Sequence, residues 1–366
     1  MRLMILPRYV MTSVLLAMLG SVVGLWLLQM VFAYLSELEN LSDAYTFKDA
    51  FLYILYRSPY FLVQFIPTGV LLGSVLGLGM LATNSELISM RAAGLGLYRI
   101  ISWAMIPAML FVFVSLGINQ FALPAAKEYS QALQAHRPVN TLASVQGYWS
   151  VLNTPKGQDI VYISYADSDG KLGLTKRYSL DANSNLSQVV QADFGVYNAQ
   201  PNIPDTSDNY TWQMHGVHQT TVTPTGVQAT ALDTQTLALP IAPSDVRLLT
   251  LQPDDMSLTD LQAHARLMNY QGRQSLPHQL SFWQKLLSPF SVLSLVLVAS
   301  SFVFGSFRHQ SLGLRIVMAL LTGLLFSYLT DLSGFIALAT GVSPLLMVLL
   351  PIIISAIAGV YLLNQQ

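Results

Sequence analysis

The sequence predicts a membrane α-helical protein with six transmembrane helices and an all-β domain, sandwich or jelly-roll-like, inserted between helices three and four. Three observations carry this. The chain holds 18 Lys+Arg and 19 Asp+Glu in 366 residues, 10% charged, against roughly 25% in a soluble domain. The hydrophobic share is 53%, with a mean hydropathy of +0.49. The charges also gather: 23 of the 37 fall between Lys127 and Lys285.

The uncharged stretches place the helices. They cover 9–36, 58–85, 100–126, 286–307, 316–330 and 332–366. A spanning helix takes about 20 mainly apolar residues. The first, second, third and fourth stretches satisfy this, and the last holds one span near 345–363. The fifth reaches the required length only by starting near Ser311, with Arg315 snorkelling to the interface and Asp331 closing the span at the outer surface. The first run is too long for a signal-peptide core and is read as a retained helix.

Lys and Arg in short loops set the orientation. Arg2, Arg8, Arg91, Arg99, Arg308 and Arg315 share one side, against only Lys48 and Arg57 in the opposite short connections. Both termini are therefore expected in the cytoplasm and the insert outside. Within the insert, 145–151, 160–165, 186–197, 210–217 and 227–239 alternate apolar and polar residues as half-buried strands do. Turn clusters at 153–157, 167–170 and 201–205 separate them. A short helix follows, capped by Ser257 with Asp260 three residues on, running to Tyr270 before Gly272. The expected domains are 1–126, 127–275 and 276–366.

Several function classes drop out. A net charge of -1 gives no global case for nucleic-acid binding. The absence of Cys removes thiolate nucleophiles and thiolate metal sites. No phosphate-cradling G-x-x-x-x-G-K-[ST] loop occurs, so the chain does not hold ATP in that manner. His215 and His218 sit three apart in a strand, on opposite faces by strict alternation. His136, His264, His278 and His309 are scattered. No catalytic residue and no metal site is therefore assigned.

Two patterns remain. Gly69, Gly73 and Gly77 repeat at small-xxx-small spacing, as do Gly20 and Gly24, which lets helix backbones approach in lipid. The predicted cytoplasmic loop at about 84–94 reads as a short amphipathic helix that begins at Asn84 or Ser85 and ends at Gly94. Glu86 is the sole acid on that side. It suits docking into a groove of a cytoplasmic protein, or plain compensation of the helix dipole.

Residues 69–94, GVLLGSVLGLGMLATNSELISMRAAG, and 300–334 carry a family resemblance. The first shows a small-residue helix followed by S-E-L-x-x-M-x-A-x-G. The second shows Phe302-x-Phe304-Gly305, the Gly313/Arg315 pair, and Leu329-x-Asp331-x-x-Gly334. Together with the six spans and the β insert, they resemble the LptF/LptG permease family of the bacterial lipopolysaccharide exporter. The C-terminal stretch favours the LptG branch.

The resemblance implies a non-catalytic permease subunit in the bacterial inner membrane with its β domain in the periplasm. It would pair with an LptF-like subunit around a lateral cavity. An LptB-like ATPase dimer would carry ATP and magnesium, leaving this chain without a bound cofactor. Lipopolysaccharide would pass through periplasmic jelly rolls to an LptC-like bitopic protein and a periplasmic bridge. By that resemblance Ser85, Glu86, Leu87, Met90 and Arg91 form the ATPase-coupling helix.

One departure stands out. The outer end of the first helix, 29–39, holds Glu37 and Glu39 and no cation, where the family carries lysines. Lys48, Arg57, Lys127 and Arg137 are then the nearest candidates for substrate phosphates, each also able to serve as an interfacial anchor. Leu25, Leu28, Phe32, Leu321, Leu325 and Tyr328 are the expected apolar lining. An alternative from another class is a membrane-anchored envelope assembly or sensor protein whose β domain binds a partner.

Overall fold

The computed structural model describes residues 5–42, 45–134, 148–154, 157–164, 171–181, 184–197, 210–223, 226–239, 252–270, 275–304 and 310–365. Two compact units emerge. One joins Met1–Asn40, Ala50–Ala126 and Pro253–Gln366; the other joins Leu41–Asp49 and Lys127–Gln252.

The first unit is helical. Its elements are α1 (Ile5–Glu37), α2 (Phe47–Thr83), the short α3 (Glu86–Ala92) and α4 (Leu97–Gly117). The helix then loosens into a π turn at Ile118–Ala122 and continues as α5 (Leu123–Gln134). After the β unit come a 3-10 turn (Pro253–Asp255), α6 (Leu258–Tyr270), α7 (Leu276–Phe304), α8 (Leu312–Thr340) and α9 (Pro344–Asn364). Six segments are long and apolar enough to cross a membrane: α1, α2, α4 with its continuation to Lys127, α7, α8 and α9.

The helices outrun the uncharged stretches. α2 starts at Phe47, so Lys48, Asp49 and Arg57 lie inside it, and α7 starts at Leu276, enclosing Lys285. α8 continues to Thr340 and closes on Gly341 in the left-handed region (φ 72°). Asp331 therefore does not end the fifth helix, although the sequence reads it as the close of the span. Charge-free runs mark the hydrocarbon-facing length, whereas a helix goes on while its backbone bonds are satisfied. Arg315 is likewise corrected: it does not snorkel outward but is buried, 5% exposed, near Gly79. The start near Ser311 is as expected, with its Oγ accepting from the Leu314 N–H at 3.4 Å.

Packing uses small residues. A Cβ on Gly73 would collide with the Met18 backbone of α1, and on Gly69 and Gly77 it would lie 2.8 Å from the Cα atoms of Val22 and Val14. The Gly69/Gly73/Gly77 stripe is thus the α1–α2 seam. Gly20 and Gly24 have nothing of this chain within 4 Å of a Cβ position, so they do not pack against its other helices. Gly323 brings α8 onto α2, its Cβ position 2.9 Å from Thr68 Cγ2, and Gly359 brings α9 onto α7 at Leu297 and Val298. The main apolar core joins Val10, Val14, Met18 and Val22 to Leu78, Leu87, Met90, Ile100, Val296 and Phe304.

The second unit carries one antiparallel sheet of eight strands: β1 (Tyr148–Thr154), β2 (Gly157–Ile163), β3 (Lys171–Leu172), β4 (Thr175–Asp181), β5 (Leu186–Ala192), β6 (Phe194–Tyr197), β7 (Tyr210–Thr223) and β8 (Gly226–Leu239). The order is β1-β2-β4-β5-β7-β6-β3, with β8 along the remaining edge of β7. β4, TKRYSLD, is not visible as alternation because Lys176 and Arg177 occupy it; Arg177 pairs across the sheet with Asp159 at 3.9 Å. Pairing on β7 passes from β5 to β6 in one register, Gln188↔Thr221 to Tyr197↔Trp212. The break falls at Gly216 (φ 63°), where a Cβ would strike the Asp193 carboxylate. Met214 and Val217 are both buried, so alternation resets at this glycine. The opposite-face expectation for His215 and His218 therefore fails. His215 instead stacks on Phe194, 4.6 Å between rings.

Candidate functional site

α3 is built by two backbone devices. Ser85 takes a left-handed conformation (φ 60°, ψ 12°) that breaks the chain away from α2, and its side chain makes no cap bond. At the other end Gly94 (φ 87°) donates to the Arg91 carbonyl and Leu95 to the Met90 carbonyl, at 3.0 and 3.2 Å. This is a Schellman closure, which needs a residue that tolerates positive φ. The start at Asn84–Ser85 and the end at Gly94 are as the sequence predicts.

The five candidate coupling residues split between two faces. Leu87 and Met90 are buried, 3% and 6% exposed, in the main helical core. They anchor the helix and do not present a surface. Ser85, Ile88, Ser89 and Arg91 are exposed. Glu86 stands between, half-buried. Its Oε1 is 3.4 Å from Asn84 Nδ2, and its Oε2 is buried with no hydrogen-bond partner. Tyr9 of α1 feels the charge of this carboxylate. Sequence reading missed Tyr9, since nothing in one chain's spacing joins positions 9 and 86.

The lining candidates lie on the two least buried spans. In their most apolar stretches α1 and α8 are 22% and 17% buried. Leu28, Phe32, Leu321, Leu325 and Tyr328 are all more than half exposed, and Leu25 is half-buried.

The four cations have unlike settings. Lys48 is exposed in the first turn of α2. Arg57 is half-buried and held in place: Nη1 donates to the Tyr53 hydroxyl at 2.9 Å, and the guanidinium carbon sits 5.1 Å from the Tyr60 ring centre. Lys127 is buried, 8% exposed. Arg137 lies outside the described residues.

A polar cluster that the sequence did not reveal borders Arg57. Asp254 in the 3-10 turn accepts from Ser281 Oγ at 2.6 Å, while Lys285 Nζ donates to the Asp254 and Met256 carbonyls at 2.7 and 2.6 Å. Tyr60 feels the charges of Arg57, Asp254, Asp255 and Asp331. Close by, Ser257 Oγ caps α6 by accepting from the Asp260 N–H at 3.1 Å, as predicted. Thr259 is held by Gln120 Nε2 at 2.8 Å, from the π turn. His264 and His278, scattered in sequence, are stacked with ring centres 4.2 Å apart. Among the described residues no group of His, Asp and Glu is arranged to hold a metal.

A family model described as lipopolysaccharide export system permease LptF/LptG matches residues 8–365. The chain belongs to this family. The LptG protein of Escherichia coli K12 is 26% identical over 351 residues, covering 95% of this chain and 94% of the relative. The LptG protein of Haemophilus influenzae is 24% identical over 364 residues, covering 99% and 98%. The chain is thus an LptG-type member of the LptF/LptG permeases, and with its six apolar helices it is a multi-pass membrane protein.

Proposed function

We propose that this LptF/LptG permease is the LptG-type half of an ATP-driven exporter that extracts lipopolysaccharide from the outer leaflet of the bacterial inner membrane and passes it toward a periplasmic bridge. It acts without catalysis of its own. An LptF-like subunit completes the cavity, an LptB-like ATPase dimer supplies hydrolysis with ATP and magnesium, and an LptC-like protein receives the lipid. The termini lie in the cytoplasm. The sheet unit is periplasmic and jelly-roll-like, the glycine break at Gly216 supplying a bend of the kind such folds use.

The observation that carries this reading is α3. A seven-residue helix is anchored by two buried apolar side chains and bears one acid and one exposed Arg on a loop that the Arg distribution assigns to the cytoplasm. Such a helix is a rigid handle for a motor on another chain. On this reading Glu86 pairs with a cation of the ATPase. The apolar faces of α1 and α8 receive acyl chains, which need only apolar area. Arg57 is the best prepared of the candidate cations, because its fork is already oriented for an oxyanion.

Charge reversal tests it. Glu86→Lys in the assembled complex is expected to lose ATPase co-purification and lipopolysaccharide delivery while the chain still inserts in the membrane. Unchanged co-purification and unchanged delivery would overturn the proposal.

A further inference from the structure

Arg57 is oriented without being neutralised. Other cations of the chain are already engaged: Lys285 by the Asp254 and Met256 carbonyls, Arg177 by Asp159. Arg57 is held by neutral groups instead. Tyr53, Arg57, Tyr60 and Phe61 recur at spacings of three and four and so share one stripe of α2. Nη1 donates to the Tyr53 hydroxyl at 2.9 Å, and the guanidinium carbon lies 5.1 Å from the Tyr60 ring centre and 6.0 Å from that of Phe61. Tyr53 and Phe61 are buried, and the Tyr60 and Phe61 rings meet edge to face, centres 5.9 Å apart. Trp26 of α1 fixes the same turn, its Nε1 donating to the Ser58 carbonyl at 3.0 Å. Among the described residues no carboxylate pairs with the Arg57 guanidinium, so its charge stays available.

The height of Arg57 along α2 indicates what that charge meets. Residues 58–85 are uncharged, and Thr83, the last residue of α2, stands about 39 Å further along at 1.5 Å per residue. A bilayer with its headgroups measures about 40–45 Å. A helix that leaves one interface at Thr83 thus reaches the other at Arg57, at the level of lipid phosphates. We propose that Tyr53 and Tyr60 are the positioning residues of Arg57, and that the three form a built receptor for a phosphate group of lipopolysaccharide. This rests on the reading of Arg57 as a substrate contact. A free surface Arg loses rotamer freedom when it takes up an anion. Here that freedom is already given up, because the phenol oxygen fixes one N–H of the fork and the Tyr60 ring lies against the guanidinium. A phenol and a ring quadrupole hold a cation without cancelling its charge, whereas a carboxylate in their place would compete with the phosphate. The N–H groups that remain suit a pair of phosphate oxygens.

The test uses the full complex of both permease subunits and the ATPase in maltoside detergent, which carries no phosphate. It is titrated with lipopolysaccharide and read by photocrosslinking at a position beside Arg57. Tyr53→Phe removes the accepting oxygen and keeps the ring; Tyr60→Leu removes the ring. Each is expected to raise the half-saturating concentration by about three- to tenfold without lowering the maximal yield. Tyr60→Phe, which keeps the ring face, should recover what Tyr60→Leu loses. In the Arg57→Gln background either change should add less than about twofold, because residues acting through one group are non-additive. Lipopolysaccharide stripped of its phosphates should bind native protein and variants alike. A lowered maximal yield with unchanged half-saturation, or equal losses with the stripped lipid, means a structural role and overturns the inference. A weakened Arg57→Gln beside silent Tyr53→Phe and Tyr60→Leu overturns the inference alone. A silent Arg57→Gln overturns the reading of Arg57, and the inference with it. An equal concentration of phosphatidylglycerol or of inorganic phosphate is expected to leave crosslinking unchanged. Displacement by either would assign the receptor to that source and overturn its assignment to lipopolysaccharide.

Discussion

Gly73 of α2 lies directly on the backbone of Met18 in α1, so close that an added Cβ has no room. Two helices that approach this far are held by backbone contact along their length, and the seam tolerates no methyl group. Gly73→Val is expected to destabilise the helical unit by about 1–3 kcal/mol or more, as overpacking does. Gly20→Ala, at a glycine facing open space, should be neutral or slightly stabilising through helix propensity, within about 1 kcal/mol. Thermal unfolding midpoints of the detergent-solubilised protein compare the two. Equal shifts would mean the seam is not where the packing resides.

Lys285 holds two carbonyls of the segment that leads from the 3-10 turn into α6. Lys285→Met keeps the aliphatic stem and removes both bonds, at a cost of about 1–3 kcal/mol for hydrogen bonds from a charged donor. The loss is local, so it should be visible as faster amide exchange across 253–260, with exchange in α9 unchanged. Uniform acceleration along the chain would indicate a global effect instead.

Arg57 and Lys48 sit on the same helix, one oriented by Tyr53 and Tyr60 and one free in solvent. If oriented cations meet the substrate's phosphates, Arg57→Gln should reduce lipopolysaccharide photocrosslinking at neighbouring positions by about tenfold, near 1.4 kcal/mol, and Lys48→Gln by much less. Arg57→Lys should recover only part of the loss, since a point charge lacks the fork. An Arg57 that acts as an interfacial anchor gives the opposite ranking: Lys rescues fully, and crosslinking stays unchanged in Gln.

In the sheet unit Trp212 is fully buried among Val190, Met214 and Leu237. Trp212→Ala should cost about 3–5 kcal/mol, and Gly216→Ala should cost less, through strain at positive φ and contact with Asp193. Limited proteolysis of the full chain should cut within 148–239 in Trp212→Ala and spare α7 to α9. Cleavage in the helices at the same rate would place the two units in one cooperative transition.

The six helices were legible because hydrocarbon length leaves an unmistakable composition, and α6 was legible because Ser257 and Asp260 write a capping signature. Helix ends are not, because Lys48 reads as part of a connection and Arg57, Lys285 and Asp331 as borders, although each sits within a helix. β4 was hidden by Lys176 and Arg177 on a strand whose neighbour supplies Asp159. At the 84–94 loop, Ser85 and Gly94 mark the ends, yet the division between buried Leu87 and Met90 and outward Ile88 and Arg91 needs the third dimension. The clusters that join distant positions, His264 with His278 and Lys285 with Asp254, leave no trace in linear spacing.

β8 deserves a last consequence. It is a strand of 14 residues, mostly exposed, with Asp233 as its single charge, and among the described residues only one of its edges is paired. A long, nearly neutral open edge invites pairing between molecules. Aggregation of this protein on overexpression should therefore begin in the sheet unit and not among the membrane helices. A single Lys in place of Thr230, near the middle of that edge, should raise the yield of soluble, monodisperse material while leaving the helical unit untouched.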